Sequence, residues 1–500
     1  MTPTTSKTKD VLDAYRAETL VQDVIHGYIS TPSRIPRPRR GETCFERDII
    51  DSPWLQRLRQ IHQLQTAWLV YPSAEHSRFQ HALGVAHLAS RVWDSARESF
   101  MSSATAVMAN LDDSTCESAR RPVPSPECVE ETLRVAALLH DVGHGPFGHF
   151  FDDHFLSRYA APDGEPLTHE TLGAHIVKTQ FADLISGLRR SPRGAFAPGE
   201  SISPDDVAFL IVRPRSEEED RRRPAWLRML RVLFCGLYTI DNMDFVLRDA
   251  YYAGFGAKPY DLDRLVHYSF FTERGFTLHR KGAGALFGFL EARHELFRSV
   301  YFHRTVRAID VALADLFREG ADLLYPYGNP LDSLDRYLNF TDWTLLADAS
   351  RWGESGDARK VAQAQEWRDF LNRRVKWRMI AEKTFVFRDN ASEGSSVFSS
   401  PHLFEAALRE KLPAGFETPP LRFDIARVSY RPDSPLSKNY LYDPETEEIV
   451  DVSRDPLLRH TPKSARICRV FGRDKTTGVS EIVAAFNKLT AGAADELTNV

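Results

Sequence analysis

The sequence predicts a mainly α-helical protein that carries a smaller mixed α/β lobe at its C-terminal end. Between residues 51 and 320, apolar side chains recur at the three- and four-residue spacing of helices that pack on a core. Beyond about residue 325 this pattern gives way to turns and strand-like stretches, of which residues 465–471 are the clearest. A chain of 500 residues is also too long for one ordinary core. We therefore predict three parts, which are a leader at 1–18, a helical domain at 19–325 and a lobe at 326–500.

The N-terminal part of the chain is predicted to hold a hairpin, a loop and two helices. Residues 21–29 alternate as a strand or hairpin arm does, and residues 31–41 form a basic, proline-rich loop. Because the whole chain is acidic, a solvated turn is a better interpretation of this loop than a contact to phosphate or nucleic acid. A Ser-Pro start and helical spacing predict a helix from residue 51, then an extended stretch at 65–73 and a second helix from residue 76.

The central part of the chain is predicted to consist of long helices joined by polar loops. A loop at 101–130 precedes an apolar helix that ends at residue 139. A shorter helix begins near residue 168, and two long helices cover 226–249 and 284–320. The predicted elements of the C-terminal lobe are strands at 379–390, 420–430 and 465–471 and a closing helix at 478–489.

Composition and charge exclude several classes of protein. The formal net charge of −5 is small for this length, so no global basic field for nucleic acid exists. The five cysteines are scattered without a CxxC pair, which is typical of reduced thiols in a cytoplasmic protein. The first residues lack the apolar core of a signal peptide, and no apolar run is long enough to span a membrane. We therefore expect a cytoplasmic protein without a membrane segment.

Residues 131–154 contain the densest group of chemically active side chains. An apolar helix ends in His140 and Asp141, after which Gly143 and Gly145 break the helical pattern. Neutral imidazole and carboxylate groups together suit a divalent transition metal. The alternative is a polar corner between two helices, in which histidines cap the helix ends. The apolar helix in front of the pair argues against that alternative, because an unpaired buried charge would be costly.

A later helix presents carboxylates on an apolar face. Asp241 and Asp244 are three residues apart, and Asp249 lies eight residues after Asp241, so the three share roughly one side of the helix. A carboxylate in such surroundings needs a metal ion or an arginine as its partner. For Asp244 we prefer an ion pair with Arg248 or Arg231 to metal binding.

His81, the His140–Asp141 doublet and Asp241 follow one another on separate helices as an H…HD…D pattern. Their flanking sequences are RFQHALGV at 78–85, LLHDVGHGPFGH at 138–149 and DNMDFVLRD at 241–249. The pattern and its flanks resemble the HD-domain phosphohydrolase superfamily. Within it, they resemble the branch of the sterile-alpha-motif/HD-domain deoxynucleoside triphosphate triphosphohydrolase and bacterial dGTPase-like proteins. We accordingly expect an HD-domain helical core, without the sterile alpha motif.

The resemblance implies a metal-dependent hydrolase that acts on deoxynucleoside triphosphates and releases deoxynucleoside and triphosphate. The metal ligands that it implies are His81, His140, Asp141 and Asp241. The catalytic residues that it implies are His149, Asp152 and His169. The substrate contacts that it implies are Gln63, Arg78, His144, Asp249, Arg293 and Tyr301. His/Asp ligation suits iron, manganese, magnesium, zinc or nickel, so the identity of the divalent cofactor stays open. We also expect a homo-oligomer with a nucleotide substrate.

Two positions depart from the pattern of that branch. Asn242 and Phe245 stand where the triphosphohydrolase has lysine and tyrosine, which leaves the length of the substrate's phosphate chain open. One alternative is therefore another HD-family nucleotidase or nuclease, acting on other nucleotides or on single-stranded nucleic acid. Two further alternatives are a catalytically silent nucleotide sensor and a di-iron oxygenase with His144 and His169 on a second metal. The flanking sequences favour a hydrolase over the oxygenase.

The resemblance also covers half of a nucleotide activator site. Asp51, Gln56 and Arg59 match that site, but Thr19 stands where a lysine would bind phosphate. Activation by a guanine nucleotide is therefore a hypothesis.

Overall fold

The computed structural model describes residues 18–32, 44–111, 116–212, 216–387, 396–429, 439–455, 464–473 and 475–498. The leader as far as residue 17 and residues 33–41 of the basic loop lie outside these ranges. Within them the chain is helical for most of its length, and a mixed α/β region follows residue 371. This arrangement confirms the predicted fold class, whereas the domain boundary at residue 325 stays a prediction.

Helices build the larger part of the molecule. The first set is α1 (Glu46–Ile50), α2 (Pro53–Gln56), α3 (Arg78–Ala109), α4 (Pro126–Leu139), α5 (His149–His154), α6 (His169–Gln180), α7 (Ala182–Gly187), α8 (Pro204–Ile211), α9 (Glu217–Arg221) and α10 (Ala225–Cys235). The second set is α11 (Ile240–Tyr252), α12 (Leu262–His267), α13 (Ala283–Leu296), α14 (Arg304–Leu324), α15 (Leu334–Leu338), α16 (Asp342–Ser350), α17 (Ala358–Leu371), α18 (Pro401–Lys411) and α19 (Val479–Thr498).

The strands form small sheets around this helical mass. They are β1 (Glu18–Asp23), β2 (Gly27–Pro32), β3 (Arg190–Ser191), β4 (Gly194–Ala195), β5 (Ser269–Thr272), β6 (Gly275–His279), β7 (Trp377–Phe387), β8 (Leu421–Ser429), β9 (Tyr440–Asp443), β10 (Glu448–Asp451) and β11 (Ser464–Arg473). Strands β1 and β2 form the predicted N-terminal hairpin, with Val21 opposite Ile29. The predicted C-terminal strands pair antiparallel in the order β7-β11-β8, and β9 runs parallel to β6 in a second sheet.

Two predicted long helices are each broken in the structure. The helix predicted at 226–249 divides between α10 and α11, because Thr239 accepts the amide hydrogen of Asn242 and so starts a new helix. The helix predicted at 284–320 ends in a π turn at Phe297–Tyr301, and His303 caps the start of α14. An N-cap side chain inside an apolar run is therefore the signal that helical spacing alone overlooks.

Two predicted loops or extended stretches are partly helical. The predicted loop at 101–130 is wrong at both ends, because α3 continues to Ala109 and α4 begins at Pro126. Phe100 and Ala104 are buried at the end of α3, which explains why the helix continues there. The stretch at 65–73 contains a 3-10 turn at Ala67–Leu69 instead of a strand.

The helix ends that carry the H…HD…D residues meet around one apolar core. Helix α3 contacts both α4 and α11, and buried side chains such as Trp93 and Trp226 contribute to this core. A second apolar cluster, which includes Phe404 and Phe486, lies between the C-terminal sheet and its helices. Among the described helices, none combines the length and the apolar character that a membrane span requires.

Candidate active site

Three helix ends bring together His81, His140 and Asp241, which we call the metal group. His81 lies in the first turn of α3, His140 directly follows α4, and Asp241 lies in the first turn of α11. One donor atom from each of the three lies within 4.8 Å of the other two. His81 Nε2 is 3.0 Å from Asp241 Oδ1, and His140 Nε2 is 3.8 Å from the same oxygen. Residues separated by 160 positions in the chain therefore face one point.

The donor atoms of the metal group suit a divalent cation. His140 Nδ1–H donates to the carbonyl of Ala137 at 2.8 Å, and this fixes the tautomer that leaves Nε2 bare. That Nε2 is buried and has no hydrogen-bond partner among the described residues. Burial disfavours a charged His81, but hydrogen bonds to Asp241 and Asp244 outweigh it and raise the pKa of His81 to about 10. The high proton affinity of His81 reflects the negative potential of these two carboxylates, which would also attract a divalent cation.

Asp141 lies between the metal group and a second set of histidines. Its Oδ1 is 3.4 Å from His140 Nε2 and also 3.4 Å from His144 Nε2. Its Oδ2 accepts a hydrogen bond from Arg78 Nη1 at 2.7 Å. Burial would raise the pKa of Asp141, but the charges of His140 and Arg78 hold it well below the usual range. Asp141 is therefore an ionised carboxylate that both groups share.

The second set comprises His144, His149, Asp152 and His169, which we call the histidine–aspartate group. His169 Nδ1–H donates to Asp152 Oδ2 at 2.5 Å, and His149 Nδ1 is 3.5 Å from that oxygen. The rings of His144 and His169 stack with their centroids 3.7 Å apart. His149 is the most accessible member, with 63% of its side chain exposed. Donor atoms of these four residues also lie within 4.8 Å of one another.

The environment moves the pKa values of two stacked histidines in opposite directions. Burial would lower the pKa of His169, but the charge and hydrogen bond of Asp152 raise it. Burial, Arg78 and His169 together hold the pKa of His144 well below its usual value. Two adjacent imidazoles, of which His169 binds a proton more tightly than usual and His144 less tightly, are suited to proton transfer.

A cleft of about 450 Å³ opens over both groups. The predicted site residues that line it are Gln63, Arg78, His81, His140, Asp141, His149, His169, Asp241, Asp249, Arg293 and Tyr301. The two other predicted site residues, His144 and Asp152, are not among the described lining residues, and His144 is fully buried. Asn242 and Phe245, the positions that depart from the family pattern, also line the cleft.

The far wall of the cleft carries the predicted substrate contacts. Tyr301 donates its hydroxyl hydrogen to Asp249, which His76 also contacts through Nε2 at 2.7 Å. Arg293 donates to the carbonyl of Ser429 at 3.0 Å, so the C-terminal sheet holds one side of this wall. The Oε1 atom of Gln63 is buried and has no hydrogen-bond partner among the described residues.

Three residues that the sequence did not single out hold the loop between the two groups. Arg57 is buried and donates to the carbonyls of Val142 and His144 at 3.2 and 2.7 Å. The Tyr337 hydroxyl donates to the carbonyl of Gly143 at 2.8 Å. Asp342 accepts the amide hydrogen of Phe147 at 2.8 Å. No local motif marks these residues, because their partners are backbone atoms that are far away in the chain.

Asp244 and the activator positions have identifiable contacts. The predicted ion pair of Asp244 with Arg248 is present at 2.8 Å. Arg231, the other predicted partner, pairs instead with Asp220 at 3.1 Å. Arg59 donates to Gln56 Oε1 at 2.8 Å. Nucleotide activation at this position stays a prediction.

Comparisons with known proteins agree with the resemblance seen in the sequence. The model of the HD domain family matches residues 78–223. The deoxynucleoside triphosphate triphosphohydrolase SAMHD1 homolog of Dictyostelium discoideum is 25% identical over 352 residues, which are 69% of this chain and 58% of that protein. Human SAMHD1 is 28% identical over 70% of this chain and 54% of its own length. The chain thus spans little more than half the length of these relatives.

Two crystal structures share the fold. A hypothetical protein from Aquifex aeolicus superimposes with a TM-score of 0.62 at 20% identity, and the match covers 94% of this chain and all of that one. A phosphohydrolase from Bacteroides thetaiotaomicron gives a TM-score of 0.58 at 17% identity, with 91% and 100% covered. These similarities concern the fold alone.

Proposed function

Because this chain carries an HD domain and is a distant relative of the triphosphohydrolases, we propose that it is a metal-dependent phosphohydrolase of deoxynucleoside triphosphates. In the proposed reaction it releases deoxynucleoside and triphosphate. The observation that carries the proposal is the bare, buried Nε2 of His140, which faces His81 and Asp241 beside a cleft. A divalent ion held there by His81, His140, Asp141 and Asp241 would neutralise negative charge on the phosphoryl oxygens.

The other side chains of the cleft have separate proposed roles. Arg78 and Arg293 line the cleft and can stabilise the charge that develops on the transferred group. His144, a predicted phosphate contact, is instead buried beside Asp141 and is not among the described residues that line the cleft, so we assign it no direct contact with substrate. The hydrogen bond from His169 Nδ1–H to Asp152 orients the ring, so that His169 can donate a proton from Nε2 to the leaving oxygen, and the exposed His149 is the second donor within reach of Asp152.

The direct test is a product assay. Purified protein is incubated with each divalent metal and with dATP, dCTP, dGTP and dTTP, and the products are resolved by mass. We expect deoxynucleoside and inorganic triphosphate, with activity lost in His140→Ala and retained in His175→Ala. The latter is a matched control, because His175 lies on α6 with His169 but is not among the described residues that line the cleft. Diphosphate or monophosphate products alone would contradict the proposal.

A shorter phosphate chain is the second possibility that a specific observation favours. Neutral Asn242 and Phe245 line the cleft where the resemblance expects lysine and tyrosine. Arg307, another cation in the lining, is already paired with Asp424. A substrate panel that includes deoxynucleoside monophosphates and a short single-stranded oligonucleotide distinguishes this alternative, since release of phosphate or of mononucleotides would support it.

A further inference from the structure

The side chain of Asp244 contacts residues of three elements, which are the N-terminal hairpin, α3 and its own helix α11. This side chain is fully buried and does not itself belong to the three-residue metal group. Oδ2 accepts a hydrogen bond from His81 Nδ1 at 2.7 Å and from Arg248 Nε at 2.8 Å. Oδ1 is 2.6 Å from His26 Nε2. Both carboxylate oxygens therefore have hydrogen-bond partners. Oδ2 contacts His81 at Nδ1, the ring nitrogen that is not directed at the other members of the metal group.

The N-terminal hairpin contacts Asp244 through His26, and it contacts Arg248, the ion-pair partner of Asp244, through Asp23. His26 lies in the turn between β1 and β2, yet only 1% of its side chain is exposed because it inserts against Asp244. Asp23, at the end of β1, accepts from Arg248 Nη1 at 2.9 Å. Asp23 also accepts the amide hydrogens of Ile25 and His26, which fixes the turn that presents the His26 ring.

Helix α3 approaches this cluster closely enough to require a glycine. A Cβ atom built on Gly84 would lie 2.1 Å from Asp244 Oδ1 and 2.4 Å from Arg248 Nη2. Since both side chains are buried and mutually paired, neither can move away cheaply. The close packing of α3 on α11 therefore requires a glycine at position 84, and it restricts the position of the Asp244 side chain.

We propose that Asp244 is a positioning residue for the metal group, and that the N-terminal hairpin holds it in place through His26. By accepting the Nδ1 hydrogen of His81, Asp244 fixes the ring orientation and leaves Nε2 directed at His140 and Asp241. Such outer carboxylates orient metal-binding histidines and strengthen their basicity. The inference rests on the proposed metal centre. It adds that a hairpin far from the HD motif in sequence controls how tightly that centre binds a cation.

The test is a titration of the metal-free full-length protein with Co²⁺, followed by visible absorption and by metal content per chain. We expect Asp244→Asn to weaken Co²⁺ binding by about 10- to 100-fold. His26→Leu removes the hydrogen bond to Asp244 but keeps an apolar side chain beside His87, and it should weaken binding by a smaller factor, at least about threefold. His26→Gln can place an amide near the former Nε2 and should restore most of the affinity. His87→Leu is the matched control, because the ring of His87, on α3, packs 5.1 Å from that of His26, whereas the hydrogen bonds to Asp244 come from His26, His81 and Arg248.

The outcomes separate this inference from the proposed function. Thermal unfolding of the metal-free variants identifies those that are folded, and if Asp244→Asn is not, the His26 series decides. Wild-type Co²⁺ affinity in folded His26→Leu and Asp244→Asn would overturn the inference and leave the proposed function intact. An equal loss in His87→Leu would reduce the hairpin contact to general packing and also overturn it. Failure of the wild-type protein to bind Co²⁺ at all would overturn both.

Discussion

The two groups on either side of Asp141 differ in what their ring nitrogens face. In the metal group, His140 Nε2 is buried without a hydrogen-bond partner among the described residues. In the histidine–aspartate group, the carboxylate of Asp152 lies 2.5 Å from His169 and 3.5 Å from His149. His140 thus keeps a lone pair for a cation, whereas His169 holds its Nδ1 proton against the carboxylate of Asp152. The ring nitrogens of His144 in the second group are also buried without a hydrogen-bond partner among the described residues, so the contrast concerns His140 and His169. Similar residue types in one cleft therefore suit two different tasks, cation binding and proton transfer.

Removing His140 is expected to have the largest effect, and it tests whether the metal group binds a cation. The His140→Ala variant loses the bare Nε2, so we expect its affinity for a divalent metal to fall more than about 100-fold, beyond the effect of losing an outer partner. Hydrolysis should be lost in parallel. Metal content per chain after gel filtration measures this, and His169→Gln should retain the wild-type content. Two ions in the wild-type protein, one of which is lost in His169→Gln, would make the histidine–aspartate group a second metal site.

Substitution in the histidine–aspartate group should leave the metal in place and slow the reaction. We expect His169→Gln and Asp152→Asn each to lower kcat by about 10²- to 10⁴-fold, the usual contribution of general acid–base catalysis. Metal content and KM should change little. Steady-state kinetics at saturating metal provide the measurement, with His175→Gln as the control on the same helix. Unchanged kcat in both variants would contradict a role of the histidine–aspartate group in proton transfer.

Sequence reasoning succeeded where the chemistry is local. His140, Asp141, His144, His149 and Asp152 fall within one short segment. The ion pair of Asp244 with Arg248 was also predictable, because four residues on a helix equal one turn. The predicted fold class followed from the change in periodicity along the chain.

The supports of the site could not be read from the sequence in the same way. Asp342 holds the amide of Phe147 across 195 positions, and Arg57 holds the carbonyl of His144 across 87. A contact to a backbone atom leaves no trace in the side chain of its partner, so no residue pattern identifies it. The contact of His26 with Asp244 was equally unpredictable from the sequence, since a histidine in a hairpin turn is most often exposed to solvent. The breaks between α10 and α11 and before α14 were missed because apolar spacing continues across them.

Replacing Arg57 is expected to have an intermediate effect. It lowers stability by freeing the loop that contains His144, a member of the histidine–aspartate group. Replacing Arg57 by Met leaves the carbonyls of Val142, His144 and Phe340 without their donor in a buried place. We expect a loss of about 3 kcal/mol in the free energy of unfolding, because buried groups that lose a charged donor are costly. Chemical denaturation measures it, and Arg298→Met, which removes an exposed ion pair with Glu295, should cost less than about 1 kcal/mol.

The Arg57 variant also distinguishes the two groups functionally. Arg57 donates hydrogen bonds to the loop that contains His144 and to Phe340, and these hydrogen bonds do not involve the metal group. In the remaining folded protein, kcat should therefore fall further than Co²⁺ affinity. A larger loss of metal affinity than of kcat would show that the loop supports the metal group more than the histidine–aspartate group.

The smallest expected effect is a pH dependence of stability at His62, which anchors the same loop through Asp342. His62 Nδ1 donates to Asp342 at 2.7 Å, and Nε2 is 3.0 Å from Glu75. Burial would lower the pKa of His62, but these two carboxylates outweigh it and raise it above 6.5. The folded protein thus binds this proton more tightly than the unfolded chain does. The stabilisation, about 1 kcal/mol for such a pair, is complete below pH 6.5 and disappears as the pH rises through the raised pKa.

Urea unfolding of wild type and His62→Gln between pH 5.5 and 9 should give a difference in the free energy of unfolding that shrinks with rising pH. A difference that grows over this range would mean that His62 is held neutral, and that Asp342 supports the histidine–aspartate loop without help from a charge.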